Sequence, residues 1–126
     1  EVYDDYAHHP DELRATIDSV RASFPGRRLV LAFQPHTYTR THALFSDFAR
    51  ELSKADVVVL AEIYAARERN TIGISSEDLA NQIPDAIYCE TLPQVTDVLR
   101  RVIRPGDMVI TMGAGDIFRA GEALLK

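Results

Sequence analysis

Residues 29–61 open on Leu29-Val30-Leu31-Ala32-Phe33, continue through Gln34-Pro35-His36-Thr37-Tyr38-Thr39-Arg40-Thr41, and close on Val57-Val58-Val59-Leu60-Ala61. Both flanking runs are apolar without alternation and of strand length, as in a parallel strand covered on both faces. Between them Leu44, Phe45, Phe48, Ala49 and Leu52 recur at helical spacing. The polar stretch 34–41 therefore reads as a strand-to-helix loop, with Thr39 or Thr41 as the helix cap, and the unit is β-α-β.

The same grammar extends outward. Upstream, a short Val2-Tyr3 strand leads to Pro10, after which Leu13, Ile17, Val20 and Phe24 form one helical stripe that Pro25-Gly26 ends. Asp4 or Asp5 is placed to cap that helix region. Downstream, a charged and Gly-containing loop spans 62–76, and 76–82 reads as a short helix capped by Ser75 or Ser76. Then come a strand at Ala86-Ile87-Tyr88-Cys89 and a helix through Val95, Val98, Leu99 and Val102 with Pro93 in its first turn. Arg104-Pro105-Gly106-Asp107 turns the chain into the strand Met108-Val109-Ile110-Thr111-Met112. Gly113-Ala114-Gly115-Asp116 then opens a last helix over 117–125. This alternation predicts an α/β fold: an open, mostly parallel, Rossmann-like sheet with helices on both faces, as one domain over 1–126. On such sheets ligands gather beyond the carboxyl ends of the strands, here segments 4–10, 34–41, 62–76 and 113–116.

Composition narrows the function classes. The chain of 126 residues is 46% hydrophobic and 26% charged, as in ordinary globular proteins. A formal charge of −5 lacks the basic face that a nucleic-acid binder requires. No apolar run approaches the roughly 20 residues that cross a bilayer, and the opening residues resemble no signal or transit peptide, so a membrane partner is not expected and a cytoplasmic location is. Cys89 is the single cysteine and reads as a core residue in a reducing compartment. The first residue is Glu1, not Met, and the chain opens on a chemically dense segment; both suggest a piece of a longer polypeptide.

Asp4, Asp5, His8 and His9 lie between a strand and a helix start, where carboxylates accept from hydroxyls and imidazoles donate to phosphates or oxyanions. Arg40 offers a planar fork for a carboxylate or phosphate, beside His36 and the threonines of 37–41. Asp5, His8, His9 and His36 also have the donor chemistry of a divalent-metal phosphoesterase, although only Asp116 offers a late ligand to complete such a site. A ligand-binding module without chemistry is a third reading. Gly113-Ala114-Gly115 permits close backbone approach but lacks the GxGxxG spacing, and the 126 residues contain no GxxxxGK[ST] phosphate loop.

Four segments occur in a telling order: Asp4-Asp5-Tyr6-Ala7-His8-His9-Pro10, Phe33-Gln34-Pro35-His36-Thr37-Tyr38-Thr39-Arg40-Thr41, Glu62-Ile63-Tyr64-Ala65-Ala66-Arg67-Glu68 and Gly113-Ala114-Gly115-Asp116-Ile117. Together they resemble the carboxy-terminal domain of the Mur ligases over essentially the whole chain. The Asp-Tyr-Ala-His-x-Pro element is common to that family and to related folate and peptide ligases. The second His and the Phe-Gln-Pro-His to Thr-Arg-Thr segment point to the branch that adds L-alanine to UDP-N-acetylmuramate, with the murein-tripeptide branch the nearest alternative.

The resemblance implies a three-domain enzyme of peptidoglycan synthesis. An amino-terminal domain would hold the UDP-sugar, a central P-loop domain would hold ATP and magnesium, and this domain, inactive alone, would close over both. The lactyl carboxylate would be phosphorylated, and the amine of L-alanine would attack the acyl phosphate. Carried over by residue, Asp5, Tyr6 and His8 would contact the nucleotide, and Tyr6, His36, Arg40, Gly113 and Gly115 the substrates, Arg40 through the alanine carboxylate. No metal ligand is assigned to this chain. Either His8 or His36 has the chemistry to take the proton from the amine. Many relatives carry Arg where this chain has Thr37, so a second guanidinium is missing from the implied carboxylate site.

Overall fold

The computed structural model describes residues 2–126. Its five strands are β1 (Val2–Asp5), β2 (Leu29–Phe33), β3 (Val57–Ala61), β4 (Ile87–Cys89) and β5 (Met108–Met112), and they form one all-parallel open sheet in the order β1-β5-β2-β3-β4. Five helices connect them, α1 (Pro10–Ser23), α2 (Tyr38–Ala43), α3 (Phe45–Leu52), α4 (Ser76–Ala80) and α5 (Leu92–Val102), and α6 (Phe118–Leu124) follows β5.

The continuous apolar runs are explained by cover on two sides. Leu29, Leu31, Phe33, Leu60, Met108 and Ile110 pack with Leu13 and Ile17 of α1, Phe48 and Leu52 of α3 and Leu79 of α4. The intervening residues Val30, Ala32, Val59 and Val109 point the other way, onto Val95, Val98 and Leu99 of α5 and Ala120 of α6. Handedness accounts for the division. Three successive crossovers step across the sheet in one direction and so place α1, α3 and α4 on one face. The return from β4 to β5 runs backwards, and a right-handed crossover then puts α5 on the opposite face.

Local caps differ from the sequence reading in instructive ways. The expected loop 34–41 contains a helical turn, α2, and the cap is Thr37, whose Oγ1 accepts from Arg40 N, rather than Thr39 or Thr41. The helical stripe expected through residues 44–52 is α3, which starts at Phe45; Leu44, at φ −112°, ends the unexpected α2 and begins α3. His9, not Asp4 or Asp5, caps α1: its Nδ1 accepts from Asp11 N while Glu12 returns to the His9 N–H. Asp4 and Asp5 are instead drawn to Thr111 and Thr16 hydroxyls. Ser75 caps α4, which stops at Ala80, and α6 begins at Phe118, one residue later than expected. Cys89 is buried, and burial pushes its thiol up. No helix among the described residues is long and apolar enough to cross a membrane.

At the amino ends of the central strands, Arg28 donates Nε to Asp107 Oδ1 at 3.1 Å, and Nη2 to Asp107 Oδ2 at 2.7 Å and to the Val102 carbonyl at 2.5 Å. The Asp107 side chain, 5% exposed, also accepts from Arg104 N at 2.8 Å. The clamp joins the start of β2 to the turn entering β5. Arg28 holds the Asp107 carboxyl below its ordinary range, so the stabilisation is present above the unfolded value, near 3.9, and is lost as pH falls through the lower folded value. Asp107→Ala is expected to cost about 3 kcal/mol at pH 7 by urea denaturation, because it strands a half-buried guanidinium. For Asp107→Asn the stability gap to the parent should narrow as pH falls below about 4; a gap independent of pH would contradict the ionic account.

Candidate functional site

Because β5 lies between β1 and β2, the segments that follow all three strands emerge side by side, and the β3 loop joins them from the neighbouring strand. Backbone bonds carry the sheet beyond its formal ends. Gly113 N donates to Asp5 O at 3.0 Å and Gln34 N to Met112 O at 3.0 Å. Tyr64 N donates to Pro35 O at 2.8 Å and Thr37 N to Tyr64 O at 2.9 Å, so His36 and Tyr64 form a parallel bridge past β2 and β3.

A set of polar side chains is consumed in holding these segments. Asp5 accepts from Ala7 N through Oδ1 at 2.9 Å and from the Thr16 hydroxyl through Oδ2 at 2.8 Å, which shapes the turn carrying Tyr6 and His8. Gln34 is buried; its Oε1 accepts from Asp116 N and Ile117 N, and its Nε2 donates to Asp116 Oδ1 at 2.8 Å. Glu62 accepts from Ile63 N, Ser76 N and the Tyr88 hydroxyl, which ties down both ends of segment 62–76 and pushes the Tyr88 phenol up. Glu68 accepts from Tyr38 N, Thr39 N and the Thr39 hydroxyl at the start of α2; those bonds hold its carboxyl below the ordinary range.

Four rings cross the top of this frame in the order Tyr6, His8, His36 and Tyr64. Successive centroids are 5.5, 5.9 and 5.6 Å apart, with the last pair stacked at 15°. The hydrogen bonds assign opposite tautomers to the two imidazoles. His8 Nδ1 lies 3.1 Å from the Tyr6 carbonyl, an acceptor only, so Nδ1 carries a proton and, in the neutral ring, Nε2 is the acceptor. Glu12 Oε1, 3.7 Å from the same Nδ1, favours that assignment. His36 Nδ1 lies 3.3 Å from Arg40 Nη1, a donor only, so here Nδ1 accepts and Nε2 carries the proton. Burial, the Arg40 charge and His8 all push the His36 imidazolium down, only partly opposed by Glu68, which favours the neutral ring.

Arg40 itself is half-buried. Among the described residues its guanidinium has one hydrogen-bond partner, the neutral His36 ring, and no ion pair. A guanidinium with most of its donors unspent, held beside a neutral N–H donor, is a receptor for a carboxylate or phosphate.

The structure thus brings Asp5, Tyr6, His8, His36, Arg40, Gly113 and Gly115 to one end of the sheet. It also separates their tasks. The two glycines are required by internal close approach: a Cβ on Gly115 would stand 2.6 Å from both Gln34 Oε1 and Tyr64 Cγ, and one on Gly113 2.8 Å from the Gln34 carbonyl. His9 spends Nδ1 on its helix cap, and no group of three or more His, Cys, Asp or Glu side chains converges as a metal site among the described residues. The donor set of the phosphoesterase reading is therefore not assembled. Sequence reasoning assigned no task to Gln34, Tyr64, Glu62 or Glu68. Three of them belong to the Glu62 to Glu68 run, whose density of charge at a strand end was the available signal.

Comparison with known proteins places this geometry. Residues 1–115 match the family model described as Mur ligase, glutamate ligase domain. A protein of Lachnospira eligens named UDP-N-acetylmuramate--L-alanine ligase is 53% identical over 129 residues, covering 99% of this chain and 28% of that protein. One of the same name from Agathobacter rectalis is 51% identical with the same coverage. The solved UDP-N-acetylmuramate-alanine ligase of Thermotoga maritima superimposes with a TM-score of 0.77 at 26% identity, over 98% of this chain and 26% of that one. The chain thus spans little more than a quarter of the length of the proteins it matches. With the family model covering nearly all of it and the fold agreeing, this chain belongs to the Mur ligase family, as its carboxy-terminal domain.

Proposed function

We propose that this chain is the carboxy-terminal part of a cytoplasmic, ATP-dependent ligase that joins L-alanine to UDP-N-acetylmuramate in peptidoglycan synthesis, and that it supplies the amino-acid end of an interdomain site. The observation that carries the reading is Arg40, a half-buried guanidinium whose one hydrogen-bond partner among the described residues is a neutral imidazole. The names of the relatives at 53% and 51% identity favour the alanine-adding branch over the murein-tripeptide branch.

In this reading the carboxylate of L-alanine lies on Arg40, with His36 Nε2–H as a second donor. One guanidinium and one neutral N–H then do what a pair of guanidiniums would do in relatives with Arg at the position of Thr37. The ammonium group must lose a proton before it attacks, and His8 Nε2 takes it, because the tautomer leaves that nitrogen as an acceptor while His36 offers only a donor. The C–N bond forms as the acyl C–O bond to the activating phosphate breaks; of the two protons the nitrogen gives up, the first stays on His8 and the second leaves with the departing phosphate. Closure of this domain over the rest of the protein would exclude water from the activated carboxyl.

The residues present fit one edge of a nucleotide rather than its phosphates. No phosphate loop occurs in the chain, whereas Tyr6, 71% exposed, offers a free ring face next to the turn built by Asp5. ATP, when bound with magnesium by the remainder of the protein, supplies the phosphoryl group that activates the carboxyl. Asp5 contributes by shaping the Tyr6–His8 turn, and Gly113 and Gly115 by letting Gln34 and Tyr64 close beneath His36.

In the full-length ligase, Arg40→Ala is expected to weaken L-alanine by about 1.5–3 kcal/mol, seen as a KM raised roughly 10- to 150-fold with KM for ATP little changed. An equal loss for both substrates in steady-state kinetics would remove the assigned role. The histidines should separate in the same assay. His8→Gln is expected to lower kcat by about 100-fold or more with little effect on KM for L-alanine, and His36→Gln to act chiefly on that KM. The reverse pattern would exchange their roles.

A further inference from the structure

We infer that Glu68 is a positioning residue for Arg40, acting through the first turn of α2; the inference rests on the proposed carboxylate role of Arg40. The short segment from His36 to Arg40 does not hold its shape by propensity. Thr37, a β-branched residue, sits at φ +66°, a region that such side chains rarely adopt. The six-residue helix it starts has no acidic residue of its own in the first turn. Left alone, this turn has every reason to relax toward ordinary backbone, and Arg40 would move with it.

Glu68 supplies from outside what the turn lacks. Its Oε1 accepts from Tyr38 N at 2.8 Å and Thr39 N at 3.0 Å, and its Oε2 accepts from the Thr39 hydroxyl at 2.7 Å. Both oxygens are thus committed to the amino end of α2, where a carboxylate also complements the helix dipole. The carboxylate is held in turn by its own loop: Glu68 N donates to Ala65 O at 3.0 Å, next to Ala66 at φ +55° and the Tyr64 to Pro35 bridge. The chain of contacts runs from Ala65, next to Tyr64 in sequence, through Glu68 and α2 to Arg40, and it returns to His36 through the 3.3 Å Arg40 contact and the Tyr64 stack.

The charge arrangement is specific. Glu68 lies close enough to be lowered by the Arg40 charge, yet it forms no ion pair with Arg40. A carboxylate bonded directly to the guanidinium would fill the place of the substrate carboxylate. One bonded to the preceding turn fixes the guanidinium and leaves its donors free.

The test is steady-state kinetics on the full-length ligase with Glu68→Ala, Glu68→Gln and Arg40→Ala, together with a crystal structure of the Glu68→Ala enzyme. Glu68→Ala is expected to raise KM for L-alanine about tenfold with KM for ATP unchanged. Glu68→Gln should recover most of that loss, because its amide oxygen still accepts from both backbone N–H groups. In the crystal structure the Thr37 turn should relax and the Arg40–His36 contact open. An unchanged turn, an unchanged KM for L-alanine, or an equal rise in both KM values would overturn the inference. If Arg40→Ala leaves KM for L-alanine untouched, the carboxylate reading fails instead, and the crystal structure still decides whether Glu68 sets the position of Arg40.

Discussion

The meeting of the β1 turn with the β2 and β3 loops at the carboxyl end of this sheet depends on one placement: the last strand, β5, lies between the first and the second. Main-chain bonds from Gly113 to Asp5 and from Gln34 to Met112 make the three loops a single surface. The site is therefore non-local by construction. Residues near 5, 34–41, 62–68 and 113–116 meet only when β5 has been inserted, after nearly the whole chain is available. Contacts of such sequence separation carry a loop-closure cost that the buried faces of β2, β3 and β5 must offset.

Within that surface the polar groups fall into two sets. Asp5, Gln34, Glu62 and Glu68 direct their oxygens to internal N–H and O–H groups and so form the frame. Among the described residues, Arg40, the Nε2 of His8 and the Nε2–H of His36 are left with capacity unspent. This division explains how a chain of net charge −5 can keep an open guanidinium at this end of the sheet: the carboxylates nearest Arg40 are bound elsewhere. It also explains the neutral His36, since a second positive charge beside Arg40 in a partly buried place is disfavoured.

The sheet was legible because its strands announce themselves. Leu29 to Phe33, Val57 to Ala61 and Met108 to Met112 are buried on both faces and so are continuous apolar runs. The site segments were legible because they sit where those runs stop. The caps were less so, for a physical reason. Thr37, Thr39 and Thr41 are equivalent by composition, and only the positive φ at Thr37 and the distant carboxylate of Glu68 decide between them. Likewise Gly113-Ala114-Gly115 reads as a place for a ligand, whereas the neighbours that demand glycine are Gln34 and Tyr64, far away in sequence. Tautomers lay beyond sequence altogether, because they follow from whether the atom opposite a ring nitrogen is the Tyr6 carbonyl or the Arg40 guanidinium.

The account stands most directly on those two tautomers, since they assign His8 as acceptor and His36 as donor and leave Arg40 open. Long-range nitrogen–proton NMR correlation of the histidine rings in labelled protein near neutral pH reads them without any substrate. The expected result is protonated Nδ1 with bare Nε2 for His8, and bare Nδ1 with protonated Nε2 for His36. The same tautomer in both rings, or an imidazolium at His36 under those conditions, would contradict the account.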